Sequence, residues 1–188
     1  MTHDPALDAH EHAEHAEHAA HANDPFISRV SITIAVLAVL AASVSSLENV
    51  EEAGAINSAS EAVLAQDQAT DLWNEYQADS LKKHLYGIAA DAGGAKAGKY
   101  SQTSKEQTAK QDHISSEAKA KESEREALMR ASGLHEHRHH WLTGAATMIE
   151  IGIAISTVAI ITRRRAFWQG SILLGVVGLA LLGAAYLV

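Results

Sequence analysis

The sequence predicts an all-α integral membrane protein with three transmembrane helices and a long polar helical hairpin between the first and the second. Residues 30–47, 141–162 and 167–188 are apolar runs. Each reaches or nearly reaches the roughly 20 residues that cross a bilayer core about 30 Å thick. The first and third hold no charged residue, and the second holds only Glu150. The two prolines are Pro5 and Pro25, so nothing after Pro25 obliges a helix to break. The stretch between the first two runs is polar and rich in Ala, Glu, Gln, Leu and Lys, which are good helix formers.

Residues 1–25 form a His/Glu-rich tail, expected to be disordered. Its repeat sets His12, His15, His18 and His21 three apart, with Glu11, Glu14 and Glu17 beside them. A tail of this kind is neither short nor basic, so the first span at 26–47 reads as an uncleaved anchor and not as a secretory signal. Residues 48–140 are the extramembrane hairpin, with Gly54 as the weak point in an otherwise unbroken run out of the span. Its arms meet at residues 91–98, where Gly93, Gly94 and Gly98 allow the chain to reverse. Spans at 141–162 and 167–188 follow, joined by a loop at 163–166. Arg163, Arg164 and Arg165 place that loop in the cytoplasm by the positive-inside bias. Counting crossings then puts the N-terminus in the cytoplasm and the hairpin and C-terminus outward.

In the first arm Val63, Leu64, Trp73, Tyr76, Leu81, Leu85 and Ile88 read as an interrupted apolar stripe. The second arm offers Tyr100, Ile114, Leu128 and scattered alanines. That is thin for a two-helix coiled coil standing alone, and it favours packing against further copies. Trp73, Tyr76, Leu81 and Tyr86 are the densest part. Their plainer reading is local packing, and their functional reading is a docking surface for a membrane or periplasmic protein.

Glu150 falls ten residues into the second span. A carboxylate at mid-membrane costs at least about 2.5 kcal/mol and is kept protonated, paired or beside water. It is either interhelical glue or part of a proton or cation pathway. Small residues mark close helix approach: Ala38, Ala42 and Ser46; Gly152 and Ser156; Gly170, Gly175, Gly178 and Gly183. A second histidine cluster, His135, His137, His139 and His140 with Glu136, precedes Trp141 at the membrane boundary. Together with the tail histidines it is the candidate for weak binding of a divalent transition metal, or for a response to pH near 6.5. The plainer reading is a polar collar with Trp141 as anchor.

The absence of cysteine removes disulfides, thiolate metal sites and thiol catalysis, and a formal charge of −8 argues against nucleic acid. No phosphate loop, nucleophile elbow or metalloprotease pair is present, so an enzyme is not expected and no firm cofactor is implied. The expected partners are the lipid bilayer and further copies of the chain.

The stretch from Asp67 to Tyr86, with Trp73-Asn74-Glu75-Tyr76-Gln77-Ala78 at its centre, resembles the bacterial membrane-protein family called domain of unknown function 4337. The likeness extends to the His/Glu-rich leader and to the final spans separated by Thr162-Arg163-Arg164-Arg165. The resemblance implies a bacterial inner-membrane location. It supplies no activity and no catalytic residue. Two functions follow as expectations: a non-catalytic, homo-oligomeric membrane protein whose hairpin serves assembly or partner binding, or a proton or cation pathway using Glu150.

Overall fold

The computed structural model describes residues 24–187. Within them the chain is all α-helix: α1 (Pro25–Asp91), α2 (Ala97–Thr162) and α3 (Arg165–Leu187). Each contains a segment long and apolar enough to cross a membrane. The tail repeat of His12, His15, His18 and His21 lies outside the described residues.

The helix ends follow from local chemistry. Asp24 caps α1, its Oδ1 accepting the Phe26 amide at 2.9 Å, and Pro25 takes the first helical position, where no amide proton is needed. Gly54 does not interrupt α1, which runs on from the apolar segment into the hairpin as the sequence suggested. At the reversal Gly93 and Gly94 adopt φ of 78° and 98°, open to glycine and strained for other residues. The α2–α3 loop is shorter than the expected 163–166. It is closed by Arg163, which has a φ of 52°, and Arg164; Arg165 already belongs to α3.

The described residues divide into two compact units, each considered separately. One comprises α1 up to Ala55, α2 from Gly133 and α3; the other is Ile56–Ser132. In the first, Val30, Ile34, Leu37, Ala41 and Val44 of α1 are buried with Leu142, Ala145, Ile149 and Ile153 of α2. Their spacing of three or four residues is that of helices packed by knobs into holes. Glycine makes room for α3: a Cβ on Gly175 would lie 2.6 Å from Leu37, and one on Gly178 would lie 2.6 Å from Ile149. Gly152 and Ser156 are buried as well, whereas Gly170 and Gly183 have nothing within 4 Å, and Ala42 and Ser46 are exposed.

The second unit is a two-helix seam, and its packing corrects the sequence reading. Val63, Leu64, Leu81, Leu85 and Ile88 are exposed and do not join the arms. The seam runs over Ala62, Ala65 and Ala69 on α1 and Gln111, Ile114 and Ala118 on α2, again spaced by three and four. Alanine lets the backbones approach, so a stripe sought among large residues is found on the wrong face. The Trp73, Tyr76, Leu81, Tyr86 group also divides. Trp73 meets Tyr76 edge-on at 5.5 Å and its indole donates to Glu122 at 2.9 Å; Tyr86 stacks on Tyr100 at 6.1 Å; Leu81 is exposed.

Polar layers set the register of this seam. Asp79 is buried and pairs with Lys82 and Lys110, each at 2.8 Å, while Gln111 donates to the Tyr76 carbonyl at 3.3 Å. The hydrogen bonds from Lys110 and Lys82 outweigh burial and hold the Asp79 carboxyl below its usual range. Hydrogen bonds to Asp79 and Glu75 raise Lys110 well above the lysine range. For Asp79 the stabilisation is complete above the unfolded carboxylate pKa of about 3.9 and is lost as pH falls through the lower folded value. For Lys110 it is complete below about 10.4 and is lost as pH rises through the higher folded value. The expected result is a plateau in thermal midpoint between these limits, with an acid-side fall that is shallower in Asp79→Asn. Helicity followed against temperature across the pH range checks it.

Candidate functional site

The core spacing of the first unit does not stop where its apolar residues stop. Continuing α1 from Ala41 and Val44 by steps of four and three reaches Glu48 and Glu51. Running α2 back from Leu142 by four and three reaches Arg138 and His135. Ionisable side chains therefore occupy core-facing positions at one end of the unit, and they meet there.

Glu51 is the centre, with a side chain only 8% exposed. His135 Nδ1 lies 2.5 Å from its Oε2, Arg138 Nη1 lies 3.8 Å from its Oε1, and the Tyr186 hydroxyl donates to Oε1 at 3.3 Å. The Arg138 guanidinium also lies over the Tyr186 ring, 5.4 Å from its centroid. One carboxylate of α1 thus receives groups from both α2 and α3. Gly54, one turn on, is what admits the imidazole: a Cβ there would sit 2.9 Å from the His135 ring. Beside this clasp, Thr143 Oγ1 is 2.6 Å from Glu48 Oε1, and His139 Nδ1 is 3.5 Å from the Glu48 carbonyl.

The boundary histidines are thereby assigned to different partners. His135 serves Glu51, His137 accepts the Trp141 indole N–H at 3.1 Å, His139 faces Glu48, and His140 lies 4.0 Å from Glu136. Among the described residues, no three His, Asp or Glu side chains gather as a group that could hold a metal ion. Arg163 sits 3.6 Å from Asp24, so the arginine loop touches the start of α1.

Glu150 lies elsewhere. It interacts within its own chain, yet its side chain is exposed, on the face of α2 that also exposes Thr143, Thr147, Ala154 and Thr157. Two hydroxyls of α1 have other contacts: Ser43 donates to the Val39 carbonyl at 2.9 Å, and Thr33 Oγ1 accepts the Trp168 indole at 2.9 Å. Thr147 donates back to the Thr143 carbonyl at 2.8 Å.

Sequence reasoning named His135 and missed Glu51, Gly54, Arg138 and Tyr186. The signal for them was the core spacing continued past the last apolar residue.

A family model described as Domain of unknown function (DUF4337) matches residues 26–188. No curated protein and no solved structure matches the chain.

Proposed function

The chain belongs to the domain of unknown function 4337 family, and we propose that it works without catalysis, as a homo-oligomeric bacterial inner-membrane protein whose hairpin drives assembly. On this reading the apolar segments of α1, α2 and α3 cross the bilayer. The arginine loop and the N-terminus face the cytoplasm, and the hairpin faces outward.

The observation that carries the reading is the exposed stripe of Leu81, Leu85 and Ile88. These residues are 63%, 58% and 69% exposed on one face of a polar helix. Copies inserted in one membrane share an orientation, so a rotation axis along the normal brings the stripe of one copy against the same stripe of the next. Half-burial of a leucine contributes about 1 kcal/mol. Leu81→Glu with Leu85→Glu is therefore expected to weaken association about thirtyfold, read by crosslinking in native membranes and by mass in detergent. A wild-type chain that is monomeric by both measures would dispose of the proposal, and a heterologous band in place of a dimer would turn the stripe into a docking surface for another protein.

A second reading, a proton or cation pathway, is favoured by one alignment. Glu48 reaches Thr143 at 2.6 Å, and Thr147 and Glu150 continue along the same face of α2. The middle of the unit is closed by fully buried Val30, Val44, Leu142 and Ile149, so a polar route runs over this outer face. Proton flux in proteoliposomes is expected to fall to background in Glu150→Gln. Flux absent from the assembled wild type excludes the pathway.

A further inference from the structure

An open groove of about 270 Å³ runs between α1 and α3 in the apolar unit, walled by Ile32, Val36 and Leu40 on one side and by Ile172, Val176 and Leu179 on the other. Leu37 and Gly175 form its floor. A Cβ on Gly175 would lie 2.6 Å from Leu37, so the missing side chain is what lets the two helices close beneath the groove. From Ile32 to Leu40 the groove is about 12 Å long at 1.5 Å per residue. At one end the Trp168 indole donates to Thr33 Oγ1 at 2.9 Å and meets Phe26 edge-on at 6.2 Å, which ties α1 to α3. Beyond that tie each wall ends in an arginine. Arg29 precedes Val36 by seven residues and Leu40 by eleven, and Arg165 precedes Ile172 by seven and Val176 by eleven, so helical register sets each on its groove-lining face. Both are exposed, and neither pairs with an acid among the described residues. Asp24, the only acid in residues 24–47 and 151–187, faces Arg163 at 3.6 Å.

We infer that the groove and its two arginines form a site for one anionic phospholipid, with an acyl chain lying along the groove and the headgroup phosphate held by Arg29 and Arg165. The inference rests on the bilayer-crossing part of the reading above and needs neither the oligomer nor a given orientation. Charge selects the occupant. Interfacial aromatics such as Phe26 and Trp168 sit at headgroup level, which places the arginines where lipid phosphates lie. The arginine fork suits phosphate oxygens, and basic pockets between membrane helices hold anionic headgroups. A second copy fits the groove less well than lipid does. About an axis normal to the membrane it would bring its own arginines to the same depth, and like charges repel.

Purified protein in dodecyl maltoside is titrated with palmitoyl-oleoyl phosphatidylglycerol, or with phosphatidylcholine of the same chains, and retained lipid is counted by native mass spectrometry. Phosphatidylglycerol is expected to bind at one molecule per chain and in preference to phosphatidylcholine. Arg29→Gln with Arg165→Gln is expected to weaken it about thirtyfold. Val176→Trp, which fills the groove and spares both arginines, is expected to weaken it about tenfold. Arg164→Gln, which lies in the loop and off the groove register, is expected to change it by about twofold or less. Helicity and melting of each lipid-free variant check its fold. Equal retention of the two lipids by the wild type overturns the inference and leaves ordinary surrounding lipid, as does a loss in Arg164→Gln equal to that of the double variant. Displacement by glycerol 3-phosphate, a headgroup without chains, also overturns it, in favour of a soluble anion. Wild-type protein released from native membranes by alkaline carbonate brings down the bilayer-crossing reading. Protein that stays in the membrane and shows no lipid preference brings down this inference alone.

Discussion

Glu51→Ala is expected to destabilise the apolar unit by about 2 kcal/mol. The substitution removes the shared acceptor of His135, Arg138 and Tyr186 at once. Breaking a fully buried ion pair costs about 3–5 kcal/mol, but His135 and Arg138 keep 34% and 39% of their side-chain surface in solvent, which lowers the penalty. Glu51→Gln keeps an acceptor for the tyrosine and is expected to cost about half as much. Thermal unfolding in detergent, followed by near-ultraviolet dichroism of the aromatic residues, gives the comparison. A Glu51→Ala midpoint equal to wild type would show that the contacts at this carboxylate contribute no net stability.

The second large effect is steric. At Gly178 a Cβ would meet Ile149 Cγ1 at 2.6 Å and the Ala145 carbonyl at 2.9 Å. A side chain can turn away, but a helix carbonyl cannot, so Gly178→Leu must push α3 off α2. Overpacking costs about 1–3 kcal/mol where neighbours yield, and the upper end is expected here. Gly183 supplies the control, since nothing lies within 4 Å of a Cβ there. Gly183→Ala is expected to be neutral, or to stabilise by up to about 1 kcal/mol through helix propensity. Equal melting of the two variants would contradict the close α2–α3 contact.

What the sequence disclosed, and what it hid, follows from which residues do the packing. The three apolar segments, the continuity of α1 past Gly54 and the reversal at Gly93 and Gly94 are all legible, because length, hydropathy and glycine act locally. Of the hairpin seam, Ile114 of the second arm was legible and the first-arm side was not. Ala62, Ala65, Ala69 and Ala118 carry too little apolar surface to stand out beside Leu81 or Ile88, although their spacing is the better guide. The clasp was half legible. His135 belongs to an obvious cluster, but its partner Glu51 lies far along the chain and looks like an ordinary surface acid at the end of an apolar run. Tyr186, near the end of α3, resembles an interfacial aromatic anchor until the distance to Glu51 is known. Glu150 was conspicuous from composition alone, while its exposure depends on which face of α2 turns inward. That face is set by Leu142, Ala145, Ile149 and Ile153 acting together.

The two-residue loop between α2 and α3 bears on how the protein is made. With Arg163 in a left-handed conformation and Arg164 the remaining linker, α3 begins almost where α2 ends. If both segments cross a bilayer as proposed, such a pair would be delivered together and not one helix at a time. The arginines resist translocation, and the chain between the helices is too short to let the first settle before the second emerges. On the proposed reading the charge-free apolar run 167–188 would enter with α2, offsetting the cost of carrying Glu150 into the bilayer. Lengthening this loop would test the machinery of insertion more than the finished fold.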